Sequence, residues 1–522
     1  MKKTMKNKIC LLGALLLLLT FGSCQKDSDT LIRYDYNDVL AFAAADTSFA
    51  AKYEVFWNGM NQNYALWDYE MEHGLDWDAE YEKFHPLFEA LDTQKVVSDE
   101  EVQKLMEQMV APLHDGHMVV SFLNHRTSQF VSVDPQSLRN ASRADYISDN
   151  DLPAFTERWA ALAAVNKSDV LESYFGSTHL KTAFSHVLKG GSTRQWISAE
   201  IERLGKKTTP TEKEVEKLAG LKQLMSALDA IFLTYGGVQL VNAYNQLVLS
   251  FSYLEVPGLE EISPEFAESG LRVSYALLKG NIVYLYLSAF SLSNYLLPSY
   301  YNRMNLKGSN EVMGKSIETA WLMWFSKIQE LHKAGTLGGV IIDLRGNGGG
   351  MLNDYQFVIG ALLPSGGFTT NLLRYKRGTA RLDYSPLMPQ VMPTLPSEHA
   401  VVTEPIVVLG DCNSVSMAEV TARSCKLIPN ACFIGKSTWG ALCGLNENPY
   451  FSVNYSGHIG VRRQTSVYVY TPMMASFSMD GKQLEGVGIE PDIEVDLDTK
   501  LFNANTSDTQ LERALQYIRT GN

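Results

Sequence analysis

The chain has 522 residues, 45% hydrophobic and 20% charged, the proportions of a globular protein long enough for two to four domains. Its formal charge is −13, and the first 23 residues carry four lysines and no acid, so removing them leaves −17 on the rest. A balance that acidic excludes nucleic acid as the main partner, because phosphate backbones reward basic patches.

Lys2, Lys3, Lys6 and Lys8 precede a mostly apolar run at 9–21 that is too short to span a bilayer comfortably. The run ends Thr20-Phe21-Gly22-Ser23-Cys24. Small residues directly before a cysteine resemble the lipobox of bacterial lipoproteins. The resemblance implies removal of residues 1–23 as a signal peptide and lipidation of Cys24, with firm anchoring by several acyl chains. Ordinary signal cleavage beside an incidental cysteine is the alternative. Residues 24–34 read as a polar tether, and Gln25-Lys26-Asp27-Ser28-Asp29 is similar to the acidic signals that send Bacteroidetes lipoproteins to the cell surface. The expected location is therefore the outer membrane or cell surface, lipid-anchored, with the membrane as a partner only through that anchor.

Residues 35–123 read as a helical domain. Phe49, Tyr53, Phe56 and Trp57 recur at helix spacing, as do Tyr81, Phe84, Leu87 and Phe88, then Val102, Leu105, Met106 and Met109. Ser98-Asp99-Glu100-Glu101 is a helix start with acids in its first turn. The segment closes on Leu113-His114-Asp115-Gly116-His117-Met118, a turn entering an apolar strand, with His114 expected as an exposed neighbour of His117. Residues 124–270 form an irregular middle region, with an amphipathic helix over 207–228 and strand material over 239–254.

From residue 271 to 500 the texture alternates between strand and helix. Strands are expected at 282–287, 340–343, 406–409, 432–434 and 466–470, and helices at 317–334 and 416–426. Such alternation implies an α/β sheet with helical crossovers, whose sites lie at the strand C-terminal ends. Residues 501–522 read as a helical tail. Cys412, Cys425, Cys432 and Cys443 fall within 32 residues. In an oxidising compartment they predict one or two disulfides of undetermined pairing. A metal site there lacks both the paired-cysteine spacing and a nearby histidine.

Two loops carry chemistry. The first is Val340-Ile341-Ile342-Asp343-Leu344-Arg345-Gly346-Asn347-Gly348-Gly349-Gly350. A β-branched run passes into glycines that can take positive φ and turn backbone N–H groups toward an oxyanion. A phosphate loop is excluded, because Met351-Leu352-Asn353 follows where a Lys-Ser/Thr pair is needed. The second is Asp411-Cys412-Asn413-Ser414-Val415-Ser416-Met417-Ala418-Glu419, a strand end opening into a helix. Ser414 and Ser416 can each cap that helix or serve as a nucleophile.

These loops stand in an ordered set. The strand at 282–287 runs into Ser288-Ala289-Phe290, and the glycine loop and serine segment follow. Gly435-Lys436-Ser437-Thr438-Trp439-Gly440 and Glu485-Gly486-Val487-Gly488-Ile489-Glu490-Pro491-Asp492 complete the set. In this order they resemble the S41 peptidases, the family of C-terminal processing proteases and the tricorn core, over about residues 271–494 and in the helical segment. The resemblance implies a ClpP/crotonase-like core and a serine endopeptidase acting on peptides or unfolded protein without metal or organic cofactor. It selects Ser416, three residues before Glu419, as nucleophile, and an oxyanion hole from Met417 N–H and a glycine N–H among Gly348, Gly349 and Gly350.

The chain departs from the Ser–Lys branch of that family. Ala441 stands where a general-base lysine follows the Thr-aromatic-Gly element, and Lys436 lies five residues too early. The tricorn-like branch instead takes a histidine from the helical segment and a late glutamate. His117 matches the histidine, and Glu485 is the best match to the glutamate, with Glu490 close by. Residues 124–270 hold no Gly-Leu-Gly-Phe-type loop, so a PDZ domain is not expected. A catalytically inactive peptide-binding relative and a structural envelope lipoprotein are the rival readings.

Overall fold

A computed structural model describes residues 48–146, 167–178, 180–262, 271–297, 309–378, 380–445 and 466–521. The signal segment, Cys24 and the tether lie outside the described residues. The chain divides into two units: Met1–Arg143 with Asn371–Gln390 and Gly440–Gly488, and Ala144–Thr370 with Val391–Trp439 and Ile489–Asn522.

The first unit opens with helices Phe49–Asn63, Trp67–Glu72, Trp77–Asp92 and Asp99–Val110. Caps set their starts. Asp76 accepts from Asp78 N–H and Ala79 N–H, and Ser98 and Glu101 form a reciprocal capping box. The helical stripes expected from spacing are buried at Phe49, Tyr53, Phe56, Phe84, Phe88, Val102, Met106 and Met109. Each large apolar side chain so buried contributes about 1.5–3 kcal/mol. Leu87 departs from its stripe and lies exposed. The strand Val119–Asn124 pairs antiparallel with Gln129–Val133 on one side and Val467–Tyr470 on the other. Met474–Phe477 pairs antiparallel with residues 372–375.

The second unit is built on a seven-stranded sheet. Across it the strands run Ile493–Glu494, Ala431–Gly435, Ile406–Gly410, Gly339–Asp343, Ile282–Leu287, Arg272–Leu278 and Val170–Ser177, the reverse of their order in the chain. The first five are mutually parallel, and the last two add antiparallel. Every residue of Ile282–Leu287, Gly339–Asp343 and Ile406–Gly410 is buried, as a sheet covered on both faces requires. Helices Ser309–Lys333 and Met417–Cys425 are crossovers, and Thr509–Thr520 lays Leu511, Ala514 and Leu515 into one core with Ile341, Val407 and Ile434. The mixed α/β class is as expected.

Two expectations are corrected. Residues 239–254 are not strand but helix Gly237–Ser250 with a 3₁₀ turn at Ser252–Leu254, because Leu240, Val241, Tyr244 and Val248 fall on one helical face and are buried. Cys412, Cys425, Cys432 and Cys443 are free buried thiols, not disulfides. Burial pushes the thiols of Cys425, Cys432 and Cys443 up, away from the reactive thiolate. No helix among the described residues is long and apolar enough to cross a membrane.

Candidate active site

In the second unit, adjacent parallel strands end at Leu287, Asp343, Gly410 and Gly435, and the loops that follow them meet. After Asp343 the chain turns through Gly346, Gly349 and Gly350, all at positive φ. Asn347 fixes this turn, its Nδ2 donating to Leu287 O at 2.7 Å and its Oδ1 accepting Gly349 N–H at 2.8 Å. Of the expected oxyanion donors, Gly349 N–H is therefore committed.

Below the turn lies Arg345, fully buried. Its guanidinium donates to Asp343 Oδ1 at 2.9 Å and Oδ2 at 2.6 Å, and to Asp508 Oδ1 and Oδ2, both at 2.8 Å. Asp508 is also the N-cap of helix Thr509–Thr520. Two bidentate carboxylates compensate the buried cation, and its loss would leave both acids uncompensated.

After Gly410 the serine loop is tied to the glycine turn. Val415 N–H donates to Asn347 O at 2.9 Å. Asp411 Oδ1 accepts Gly346 N–H and Asn413 N–H, each at 3.0 Å. Burial raises the Asp411 carboxyl to about 6.

The two candidate serines separate clearly. Ser414 is buried, its Oγ donating to Leu344 O at 2.8 Å and accepting Asp411 N–H at 3.0 Å, so it is a structural tie. Ser416 is half-buried and stands before helix Met417–Cys425 at φ 55° and ψ −112°. A non-glycine residue there stores about 1–3 kcal/mol of strain, the geometry of a nucleophile on a sharp strand-to-helix turn. Glu419, fully buried, accepts Ser416 N–H at 2.9 Å on Oε2 and Thr438 Oγ1 at 2.7 Å on Oε1. The turn and the serine meet at Gly349, where a Cβ would lie 2.7 Å from Ser416 Cβ and 3.1 Å from Met417 N. The structure thus gathers Ser416, Met417 and Gly348–Gly350.

Lys436 is clamped by Glu494 at 2.6 Å and Asp496 at 2.8 Å. Its hydrogen bonds to Asp496 and Glu494 raise its pKa, which unsuits it as a base.

In the first unit, His117 and Glu485 come together from 368 residues apart, with Nδ1 3.9 Å from Oε1. Glu485 is fully buried, while Glu490 is exposed. Three backbone N–H groups hold the Glu485 carboxylate: Gly116 at 2.8 Å on Oε1, and Leu442 at 2.7 Å and Cys443 at 2.6 Å on Oε2. Gly116 is required here, since a Cβ would sit 2.1 Å from Gly440 O. His114, expected exposed, is partly buried, with Nδ1 2.7 Å from Glu70 Oε2.

Sequence reading missed Asp115. Its Oδ1 accepts His117 N–H at 2.9 Å and its Oδ2 accepts Thr471 Oγ1 at 2.7 Å, fully buried. Burial, and then the Glu485 charge, push its pKa well above the usual carboxylate range. Asp115, His117 and Glu485 have donor atoms within 4.8 Å of one another, close enough for a cation. The N–H and O–H groups already aimed at both carboxylates make the set a holder for an imidazole rather than a set of metal ligands. The acid two residues before the histidine was the available signal.

Residues 310–495 match the family model described as Peptidase family S41. Among solved structures, the chain is similar to a proposed peptidase from Parabacteroides merdae at 16% identity, covering 91% of this chain and 98% of that one, TM-score 0.46. It is also similar to mature CPAF complexed with lactacystin at 12% identity, covering 93% and 100%, TM-score 0.45. The photosystem II D1 C-terminal processing protease is similar at 13% identity, covering 86% and 94%, TM-score 0.34. No curated protein matches by sequence.

Proposed function

We propose that this chain, whose residues 310–495 match the S41 peptidase model, is a lipid-anchored serine endopeptidase using Ser416 as nucleophile and His117 as general base. The observation that carries the reading is Ser416 itself, half-buried at a strained φ of 55° against the glycine turn. His117 takes the Ser416 proton as Oγ attacks the scissile carbonyl. Met417 N–H, with a turn N–H from Gly348 or Gly350, receives the oxyanion. His117 then gives its proton to the leaving amine and activates the water that frees the acyl-enzyme. Glu485 stabilises the imidazolium. The exclusion of Lys436 by its own ion pairs, and of Ala441 by its chemistry, supports histidine as base.

The substrate class is peptides or unfolded segments, met at the outer membrane or cell surface, where the Cys24 lipobox would hold the enzyme. Fluorophosphonate labelling tests the nucleophile: the wild type is expected to be labelled stoichiometrically and Ser416→Ala not at all. A wild type that resists the probe and leaves unfolded protein uncut would instead identify an inactive peptide-binding relative.

A further inference from the structure

His117 is held by more than Glu485. The chain before it is pinned by Asp115, whose Oδ1 accepts the His117 N–H at 2.9 Å. The chain after it enters the strand Val119–Asn124, where Val119 pairs with Tyr470. Thr471 is the next residue beyond Tyr470, and its Oγ1 closes the loop by donating to Asp115 Oδ2 at 2.7 Å. The imidazole therefore hangs from a ring of contacts: Asp115, the Val119–Tyr470 pair, Thr471, and back to Asp115.

Two buried carboxylates flank this one imidazole, and they are built differently. Glu485 receives three N–H groups, which compensate a full negative charge. Asp115 receives one N–H and one O–H, and neither bond needs it to be charged. A second buried charge beside Glu485 would be costly, and burial together with that charge favours the neutral acid at Asp115.

We propose that Asp115 is a positioning residue for His117, acting through its two hydrogen bonds rather than through charge to hold the imidazole with Nδ1 toward Glu485. The inference rests on His117 being the general base. Its consequence is an unusual tolerance. An amide at 115 can keep both contacts, with Oδ1 accepting His117 N–H and Nδ2 donating to Thr471 Oγ1, so Asp115→Asn preserves the ring. Asp115→Ala opens it and lets the imidazole shift, and a displacement of about 1 Å costs roughly 100-fold in rate.

The test is a set of steady-state measurements on the full chain with an unfolded-protein or peptide substrate, each variant checked by its thermal transition. Asp115→Asn is expected within about threefold of the wild-type kcat, and Asp115→Ala about 10- to 100-fold lower with KM unchanged. In a His117→Ala background, adding Asp115→Ala is expected to cost nothing further, because the residue acts only through the imidazole. Thr471→Val, which deletes one bond of the ring at little change in volume, is expected to lower kcat severalfold and keeps the test valid if Asp115→Ala fails to fold. Folded Asp115→Ala and Thr471→Val variants at wild-type kcat would overturn the proposal, and so would an equal loss with and without His117. If His117→Ala itself kept wild-type activity, the general-base reading would fall first. If His117→Ala is inactive while Asp115→Ala is fully active, only the positioning role falls.

Discussion

Gly349 and Ser416 stand so close that a Cβ on Gly349 would lie 2.7 Å from Ser416 Cβ. Gly349 also has φ +87°, a conformation that side chains rarely adopt. Crowding and backbone both require glycine here. Gly349→Ala is expected to push the turn away from the serine and lower kcat by about 100-fold. The thermal transition should fall by only a few degrees. Peptide hydrolysis and a melting curve on the same preparation check this, and near-wild-type turnover would show that the turn does not serve the nucleophile.

Ser414 and Ser416 should part on stability as well as activity. Ser416→Ala is expected to abolish hydrolysis with little thermal cost, and Ser416→Gly to raise the transition, since glycine relieves a φ of 55°. Ser414→Ala strips the partner from Asp411 N–H and Leu344 O, both buried, and is expected to cost about 1–3 kcal/mol. Calorimetry of the three variants tests the contrast. A stable Ser414→Ala and a destabilised Ser416→Gly would reverse the two roles.

Much of this was legible in sequence where residue type and pattern agree. The β-branched runs ending at Asp343 and Gly410 announce buried parallel strands, and the glycines and serine after them mark the loops that meet. Long-range pairing was not legible. Nothing local in residues 467–470 says that they pair with 119–122. The helix at Gly237–Ser250 was misread because its valines, leucines and tyrosine suit a strand equally well over so short a run. The anchors Asp115, Arg345 and Asp411 were invisible for a physical reason: a charged side chain in sequence reads as surface, and only the fold reveals that its partners make burial tolerable.

The proposed localisation rests on Cys24. Cys24→Ser is expected to move the protein from the detergent-rich to the aqueous phase on partitioning, or to leave it unprocessed. Unchanged membrane association would remove the lipid anchor from the proposal.

Stability should fall as pH rises from about 4 to about 6. Asp354 and Asp411 are buried, and that burial raises each carboxyl to about 6. Folded protein therefore binds these protons more tightly than unfolded chain, whose aspartates titrate near 3.9. The stability they contribute is full below about 4 and lost as pH climbs through 6, by up to a few kcal/mol for the pair. Asp354 also accepts from Leu292 N–H, Ser293 N–H and Ser293 Oγ. Asp354→Asn should thus melt earlier overall yet lose part of the pH slope. Melting temperatures across pH 4 to 7 decide it, and an undiminished slope would assign the titration elsewhere.

The identity of the base gives the sharpest contrast. A histidine base must be neutral to accept the Ser416 proton, so activity should rise with pH through a single limb in the histidine range and level off above it. A lysine base would place that limb higher, and Lys436 is the lysine closest in sequence to the family's lysine position. Its ammonium is held by Glu494 and Asp496, which raise its pKa and keep it charged where a base must be free. Lys436→Met should therefore retain most of the wild-type kcat/KM, with a modest loss of stability from two partly exposed ion pairs. His117→Ala should lose activity by orders of magnitude, with a melting curve on the same preparation to establish that the variant is folded. Replacing Glu485 by Gln should be harsher on folding than on chemistry alone, since Oε2 accepts two N–H groups and an amide nitrogen at either position would face a donor. The pH profile of kcat/KM for wild type and Lys436→Met decides between them: the same histidine-range limb in both supports His117, whereas a limb in the lysine range that disappears with Lys436 would overturn the histidine mechanism.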